Sequence, residues 1–464
     1  MGREAGIAAR CLRGMVWAGL SAAVLAACAT DNPFDPPRFA FAAGWRRGAA
    51  AKPVLMRNDA WWQGLHDPVL NKLVAQALSD NLSIALARER IAGAAAEVRA
   101  VPGLFNHSSS VSASVEDTGS ANSASLYGGS ASLSWLLDPW GGRRAEARSA
   151  EARLMAAKAE RDAAQLLVLS KIAGAYLDLR FRQALLQQNL NELAYRTQMR
   201  DITRTLESAS SATRVDITRS EARVAEIEAQ LPGARALIEA RKNEIAVLAG
   251  SVPGQLGIDL GPAAQPRPRL SPAMGIPADL LRNRPDIGVA EQRYYEALAN
   301  VDAEKAAQIP SLSLTGTISL SHLHHGGSAA QYVLGPQLAF PRLNQAAVEA
   351  QSSAARAAYI SWTQTVTGAI QDVENALIDY QSVTASLDAA TRAVDLFRQS
   401  RDLTEQVFKA GNATLGDVID ADTEVSQAEQ TLAEARFRQA QSFVTLNVAL
   451  GAGNGFGTAP APGE

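Results

Sequence analysis

The sequence predicts an α+β membrane protein in which each chain supplies four transmembrane β-strands and a set of very long helices. Three observations lead to this fold class: an internal repeat, four stretches that alternate between Ser/Thr and apolar residues, and two long helical stretches without proline. The repeat is clearest where Ala212–Gly250 is set over Ala413–Gly451, since ten of the 39 positions are identical. Upstream, Leu82–Arg90 aligns with Pro285–Arg293. One structural unit is therefore expected twice in the chain.

The start of the chain has the pattern of a bacterial targeting segment. Three arginines precede an apolar run, Gly14–Ala27, which ends directly before Cys28. Such a segment is a signal peptide, and its last residues resemble the lipobox of bacterial lipoproteins. That resemblance implies cleavage before Cys28, a diacylglycerol on its sulfur and an acyl chain on its new amino group, which together anchor a protein durably. Ala29 in the next position favours the outer membrane. The alternative is an ordinary secretory signal with an incidental cysteine.

Composition narrows the class of protein further. The formal net charge of −3 is too mild for nucleic-acid binding, and no basic patch with interleaved aromatic residues is present. Of the two cysteines, only Cys28 would remain after cleavage, so no disulfide is expected. No later segment reaches the ~18 uncharged apolar residues of a spanning helix. If the mature protein crosses a membrane, we therefore expect it to do so with strands.

Four stretches alternate between hydroxyl-bearing and apolar side chains, as β-strands with two different faces do. They are residues 108–116, 130–137, 311–321 and 331–340. A transmembrane strand needs about ten residues, apolar toward lipid and small and polar toward a watery lumen. Interfacial aromatic residues are common near strand ends, and such positions here hold Trp135, Tyr332 and Phe340. The pattern predicts transmembrane strands; the alternative is two soluble β-hairpins covered by the helices.

The number of strands sets a requirement on assembly. Four strands cannot close a barrel, and lipid tolerates no open sheet edge. The smallest common closed barrel has about eight strands. The chain must therefore oligomerise to span a membrane, and two, three or more copies would satisfy this requirement.

Two long stretches, Arg143–Glu207 and Asn344–Ala410, contain no proline and are rich in helix-forming residues. As continuous helices they would each extend about 100 Å, at a rise of ~1.5 Å per residue. A shorter partner follows each of them, Val215–Ala249 after the first and Asp417–Leu450 after the second. Apolar residues recur every seven positions in the partners, which predicts coiled-coil packing of the helices.

These elements divide the chain into six segments. They are a lipoprotein signal peptide at 1–27, a lipidated N-terminal strap at 28–66, a first repeat at 67–250, a proline-rich link at 251–277, a second repeat at 278–451 and a C-terminal tail at 452–464. We expect each repeat to run through a short helix, a β-hairpin, a long helix, a turn and a return helix.

Several motifs point to one family. They are Trp61-Trp62 followed by the DPVL of 67–70, the WLLDPWGGR of 135–143, the IPADLLRNRPDI of 276–287 and the ALG of 449–451. Together they resemble the signatures of the TolC-like outer-membrane efflux proteins, and within them the NodT-type lipoprotein branch that serves drug-efflux pumps. The resemblance covers nearly the whole of Cys28–Phe456, and segment 276–287 carries most of its specificity.

The resemblance implies a homotrimer whose four strands per chain form a twelve-stranded transmembrane β-barrel. A long α-helical barrel would continue it through the periplasm and would be closed at its far end until a partner opens it. The expected partners are a periplasmic adaptor (membrane fusion protein), an inner-membrane pump of the resistance-nodulation-division type and outer-membrane lipid. The implied function is the exit duct of an efflux pump, with no cofactor other than the covalent lipid on Cys28.

The resemblance also implies where partners and gate lie. An adaptor would dock at the turns 208–214 and 410–416, whose candidate residues are Ser208, Ala209, Ser210, Ser211, Ala410, Gly411, Asn412, Ala413 and Thr414. Asp420 aligns with an acidic residue that rings the periplasmic constriction in relatives, and Asp417 and Asp422 lie near it. For Asp417 alone, the N-cap of the helix is the favoured alternative. Asp422 replaces a glutamine that is usual in the family, which leaves the salt-bridge partners of the gate open.

Enzymatic and metal sites are not expected. His322, His324 and His325 share one loop but have no acidic neighbour and no regular ligand spacing. The glycines near the end of the chain follow a helix and not a strand, which excludes a nucleotide-binding loop. Three functions remain: the exit duct of an efflux pump, the outer-membrane component of a type I protein secretion system, and a structural envelope lipoprotein without a pore. The lipobox and segment 276–287 favour the first.

Overall fold

A computed structural model describes residues 39–42, 44–45, 60–101, 107–117, 125–209, 212–268, 277–323 and 327–455. The predicted signal peptide and Cys28 lie outside the described residues, as do Ser210, Ser211, His324 and His325. The helices are α1 (Pro68–Asp80), α2 (Leu82–Ala100), α3 (Gly142–Ser208), α4 (Arg214–Leu248), α5 (Pro285–Ala307), α6 (Gln345–Lys409) and α7 (Leu415–Ala449). The strands are β1 (His107–Asp117), β2 (Ser125–Leu137), β3 (Ser311–Leu323) and β4 (Ser328–Ala339). Shorter helical turns occupy Trp61–Leu65, Pro277–Asp279 and Leu280–Asn283.

The four strands form one antiparallel sheet in the order β1-β2-β3-β4. The central pair joins the two repeats, with Ser130 opposite Ser319. The strand predicted at 130–137 begins earlier than expected, because Leu126 already pairs with β1 on one side and with β3 on the other. The two glycines at 128–129 interrupt the alternation, so the sequence pattern is shorter than the hydrogen-bonded ladder.

The register places hydroxyls in rows on one face of the sheet and apolar side chains on the other, as predicted. Across the hydroxyl face, Ser110 lies opposite Ser132 and Ser112 opposite Ser130, and the side-chain oxygens of these pairs are 2.7 and 2.8 Å apart. The apolar face is uncovered, with exposed side-chain fractions of 85%, 78% and 72% at Val111, Leu334 and Tyr332. Large apolar side chains exposed in such number mark a surface that meets lipid or another protein.

The long helices form as predicted, with ends shifted by one or two residues. Helix α7 begins at Leu415 and not at Asp417, because Thr414 caps it and places Asp417 at its third position. Asn344 lies just before α6, where its side chain accepts a hydrogen bond from the backbone N–H of Ala347. Most members of the predicted seven-residue seams are buried, and Ile217 and Ala234 are half-buried. The buried members include Val224, Ile227 and Leu231 in α4 and Val418, Val425 and Leu432 in α7.

Each return helix ends at a glycine that packs against the start of another helix in its own repeat. Gly250 has φ +75° and faces the backbone of Asp80, close to the start of α2. Gly451 has φ +73° and faces the backbone of Asn283 and Arg284, directly before α5. A Cβ at either position would collide with those backbone atoms, and the left-handed conformation also favours glycine. The internal repeat is thus visible in three dimensions.

By internal contacts the chain divides into two compact units, and each unit takes ranges from both repeats. Among the described residues, one unit comprises Phe39 and those within 90–158 and 289–363; it contains the sheet and an aromatic cluster around the fully buried Trp362. The other comprises the described residues within 40–89, 159–288 and 364–455, with a core that includes Trp62. No helix within the described ranges combines the length and apolarity needed to cross a bilayer.

Candidate functional site

The two return helices, α4 and α7, begin with the same capping geometry. Thr414 and Asp417 form a capping box, in which the Thr414 backbone N–H donates to the Asp417 carboxylate over 2.7 Å and the Asp417 N–H donates to the Thr414 hydroxyl oxygen over 3.2 Å. Thr213 and Asp216 repeat this geometry at 2.9 and 3.3 Å. The hydrogen bonds from the threonine side chain and backbone lower the pKa of each aspartate. Asp417 thus stabilises the start of the helix from its third position, but the N-cap is Thr414 and not Asp417, so the N-cap prediction for Asp417 is wrong.

The predicted docking turns lie at the surface where they are described. At the end of α6, Gly411 has φ +80°, and its N–H donates to the Phe408 carbonyl over 2.9 Å while the Asn412 N–H donates to the Val407 carbonyl over 3.0 Å. This closes the helix as glycine-terminated helices usually close. The exposed candidate residues are Ser208, Ala209, Ala410, Gly411, Asn412 and Thr414, and Ala413 is half-buried.

Asp420 and Asp422 differ in their surroundings, although both lie near the start of α7. Asp420 is exposed. Asp422 is 6% exposed, and its carboxylate lies 3.9 Å from the guanidinium of Arg401 on α6. Successive residues of a helix point about 100° apart, so two residues turn the side chain from solvent to the helix interface. An exposed ring of like charges can therefore include Asp420 but not the buried Asp422.

Asp422 belongs to a group of ionisable side chains that joins three helices. Burial raises the pKa of Asp422 to about 6, Arg196 and Arg401 oppose the rise, and Glu192 and Glu405 add to it. A carboxylate in such a place costs free energy when it is charged, and nearby arginines recover part of that cost. The two arginines are thus the basic neighbours of this buried carboxylate.

Hydrogen bonds hold the other members of this group in position. On α3, Arg196 pairs with Glu192 over 2.7 Å, and the Tyr195 hydroxyl donates to Glu405 of α6 over 3.1 Å. The sequence does not predict this group, because its members lie on three separate helices and no local spacing links them.

The proline-rich link lies against α3 and α7. Arg180 of α3 is buried and donates to the Gly261 carbonyl of the link. Gln183, one turn further along α3, donates to the preceding carbonyl over 2.8 Å. Gln265 of the link donates to the Ala433 carbonyl of α7 over 2.9 Å. Hydrogen bonds thus hold the described part of the link against both α3 and α7.

The Arg-Pro-Asp of segment 276–287 forms an ion-pair group at the start of α5. The Arg284 guanidinium contacts the carboxylates of Asp286 at 2.6 Å and of Asp372 on α6 at 3.2 Å. It also donates to the Ala449 carbonyl in the last turn of α7, over 3.0 Å. The motif therefore joins the start of α5 to α6 and to the last turn of α7.

Ligands for a metal do not come together in the described part of the chain. There, no three His, Cys, Asp or Glu residues lie close enough to hold an ion. His322 faces Ser328 across β3 and β4, with 3.0 Å between Nδ1 and Oγ. His324 and His325 lie outside the described residues.

The chain is similar to known bacterial proteins along most of its length. It is 31% identical to nodulation protein T of Rhizobium leguminosarum bv. trifolii over 449 residues, which cover 93% of this chain and 95% of that protein. It is 27% identical to the pyoverdine export outer membrane protein OpmQ of Pseudomonas aeruginosa over 457 residues, which cover 93% of this chain and 95% of OpmQ.

Solved structures of outer-membrane channels have the same fold. The structure of the channel OprN superposes with a TM-score of 0.80 at 27% identity, covering 90% of this chain and 99% of that one. The open state of the MtrE channel of Neisseria gonorrhoeae has the same TM-score, 0.80, at 23% identity, and covers 93% of this chain and 100% of MtrE. The predicted fold class, that of a TolC-like channel with four strands per chain, is confirmed.

A family model described as outer membrane efflux protein matches residues 73–251 and 276–452. The two matched ranges follow the two repeats. Members of this family are non-enzymatic ducts in the outer membrane that extend into the periplasm, so the predicted transport function, location and lack of catalysis are confirmed. The chain belongs to the outer membrane efflux protein family.

Proposed function

We propose that this channel is the exit duct of a tripartite efflux pump and passes small molecules from an inner-membrane transporter and a periplasmic adaptor to the outside. The observation that carries the proposal is the two-faced sheet: exposed apolar side chains cover one face and paired hydroxyls the other. An apolar exterior and a polar lumen are what a transmembrane barrel requires. Among relatives, OpmQ is named for pyoverdine export and TtgC of Pseudomonas putida for toluene efflux, which supports small molecules as cargo.

The unpaired sheet edges support assembly as a homotrimer. Within the described residues, β1 and β4 each pair with one neighbour and leave one edge open. Because lipid does not satisfy backbone hydrogen bonds, these edges must close on other copies. Three copies would give the twelve strands expected for this family, and the lipid on Cys28 would add a second attachment to the outer membrane.

The periplasmic end is where we place the partners and the gate. The adaptor docks at the exposed turns around Ser208–Ala209 and Ala410–Thr414, and the pump is of the resistance-nodulation-division type. Asp420 supplies the constriction, because it is exposed and close to the turn. Asp422 is buried and does not face the opening; it contributes only through its contact with Arg401 on α6.

Deletion of the gene, followed by growth tests against drugs and metals and an inventory of secreted proteins, tests the proposed function. Greater sensitivity to small toxic compounds, restored by the unaltered gene, is the expected result. Loss of one secreted protein with unchanged sensitivity would instead indicate type I secretion. Purified protein that forms no conducting channel in planar bilayers would support a pore-less envelope lipoprotein. Co-purification of an adaptor would identify the rest of the pump.

A further inference from the structure

One groove among the long helices has an apolar lining and an excess of negative charge. Its volume is about 570 Å³, and it is lined by residues of α3, α6 and α7 and by those around the start of α5. Its apolar lining includes Leu166, Leu167, Ala376 and Val448. The volume lies in the range of sites that hold drug-sized molecules.

The groove lies on one side of α3 and α7, and other parts of the chain cover the opposite side of these helices. On α3, Gln165 donates to a carbonyl near the end of the described chain, so its side is covered, whereas Leu167 of the groove is 53% exposed. On α7, the ring of Phe443 packs 6.4 Å from that of Trp61, whereas Thr445 of the groove is exposed. Residues two apart on a helix point in nearly opposite directions. We take the covered face, which holds the link and the end of the described chain, as the outside of the proposed duct, and the groove then opens to the lumen.

The charges in the groove favour a cation. One arginine and three aspartates line it: Arg284, Asp286, Asp372 and Asp379. Arg284 is held by Asp286, by Asp372 and by the Ala449 carbonyl, and its side chain is 13% exposed. Asp379 is exposed at the rim and has no ion-pair partner among the described residues. The group therefore keeps an excess of negative charge beside apolar walls, where opposite charges attract more strongly than in bulk water.

These features also decide what kind of cation fits. Asp286 and Asp372 already bind a guanidinium, and no three ligating side chains of the described residues meet closely enough for a metal ion. Apolar walls add free energy only when the ligand has an apolar body to bury. The geometry points to a binding site for amphiphilic organic cations on the lumen face of the duct. The inference rests on the proposed function, and it assigns the duct a preference of its own among the molecules that pass.

The experiment uses two ions of the same shape and opposite charge. The purified full-length protein in detergent is titrated with tetraphenylphosphonium or with tetraphenylborate in a calorimeter, with detergent alone as the blank. We expect saturable binding of the cation that is at least about tenfold tighter than any binding of the anion, and that weakens when salt is raised. Equal binding of both ions, or no saturable binding of the cation, would overturn the inference.

Three variants locate the binding. Asp379→Asn removes a rim charge and should weaken tetraphenylphosphonium binding about fivefold. Leu167→Lys places a positive charge at an exposed position in the groove and should abolish it. Asp388→Asn changes an exposed aspartate on the same helix as Asp379 that does not line the groove, and should leave binding unchanged. Cation binding that is the same in all three variants would place the ion elsewhere and contradict the inference.

Channel recordings separate this inference from the proposed function. A protein that conducts in planar bilayers but does not bind the cation in the groove leaves the duct intact and refutes the site alone. A protein that does not conduct at all refutes the duct, whatever it binds.

Discussion

Asn81 and Arg284 occupy equivalent positions in the two repeats and make the same hydrogen bond with different side chains. The Asn81 amide donates to the Leu248 carbonyl over 2.8 Å, and the Arg284 guanidinium donates to the Ala449 carbonyl over 3.0 Å. Leu248 and Ala449 are themselves equivalent in the alignment of the repeats. Only Arg284 also pairs with two aspartates. The second repeat therefore has an ion-pair group at a junction where the first has a neutral amide.

Arg284→Ala should destabilise the second junction more than Asn81→Ala destabilises the first. Removing the arginine leaves the Ala449 carbonyl without its donor and two half-exposed carboxylates without their partner, and it empties the site of a side chain that is only 13% exposed, a loss of about 2–3 kcal/mol. Removing the Asn81 side chain loses the bond to Leu248 and the cap on the Ser83 and Ile84 N–H groups of α2, about 1–2 kcal/mol. Guanidinium unfolding of the purified variants measures both. Arg284→Asn restores the carbonyl bond without the ion pairs and should fall between the unaltered protein and Arg284→Ala; equal stability of all variants would contradict the role of the ion pairs.

Asp422→Asn should stabilise the protein at neutral pH and have little effect in acid. Folding raises the pKa of Asp422 to about 6 from a usual value of 3.8, so between these values the folded state holds a proton that the unfolded state has lost. Stability from this group is present below about pH 4, falls as pH rises to about 6, and stays low above that pH. The difference amounts to about 3 kcal/mol at neutral pH.

The measurement for Asp422 is the free energy of unfolding of variant and unaltered protein from about pH 4 to pH 8. The gap between the two proteins should open over the lower half of this range. Asp420→Asn, on the exposed side of the same helix, is the matched control for a change of net charge. A gap that stays constant with pH would show that burial does not alter the titration of Asp422.

Asp420→Ala should raise single-channel conductance in planar bilayers. Aspartates that face one another around a symmetry axis bind cations or basic side chains and so narrow the opening, and alanine removes that constriction. Asp417→Ala is the control at the same end of the helix, since it disturbs the capping box without altering the proposed ring. Unchanged conductance of Asp420→Ala would remove this residue from the gate.

Cys28→Ser should abolish lipidation and leave channel assembly intact. The thioether needs the cysteine sulfur, whereas strand pairing between copies does not. Metabolic labelling with a radioactive fatty acid distinguishes the unaltered protein from the variant, and electrophoresis without heating reports the oligomer. An unaltered protein that takes up no label would show that the lipobox interpretation is wrong.

Local patterns predict this fold well because its elements are long and regular. The strand faces follow from alternation such as that of Ser311, Leu312 and Ser313, and the long helices from the absence of proline. The early start of β2 is not predictable in this way, because Gly128 and Gly129 carry no side chain to mark a face, although the ladder continues through them.

The site is predictable only where its geometry is local. The capping role of Asp417 depends on Thr414, three residues before it, and a sequence pattern can indicate so short a spacing. The burial of Asp422 depends on Arg196 and Arg401, which other helices bring to it. The groove around Arg284 likewise needs four helices to meet, and no pattern within one helix predicts that meeting.

In the proposed duct, the serine pairs of the sheet face the passing molecule. In Ser110–Ser132 and Ser112–Ser130, one hydroxyl of each pair donates its proton to the other. Each pair uses one hydroxyl proton and leaves the other for water, so a solute beside them meets a hydrated surface with no charge to hold it. Adhesion to such a surface is weak and brief, so travel along this part of the wall would be close to free diffusion. The hydrated, uncharged hydroxyls of the sheet do not retain the cargo.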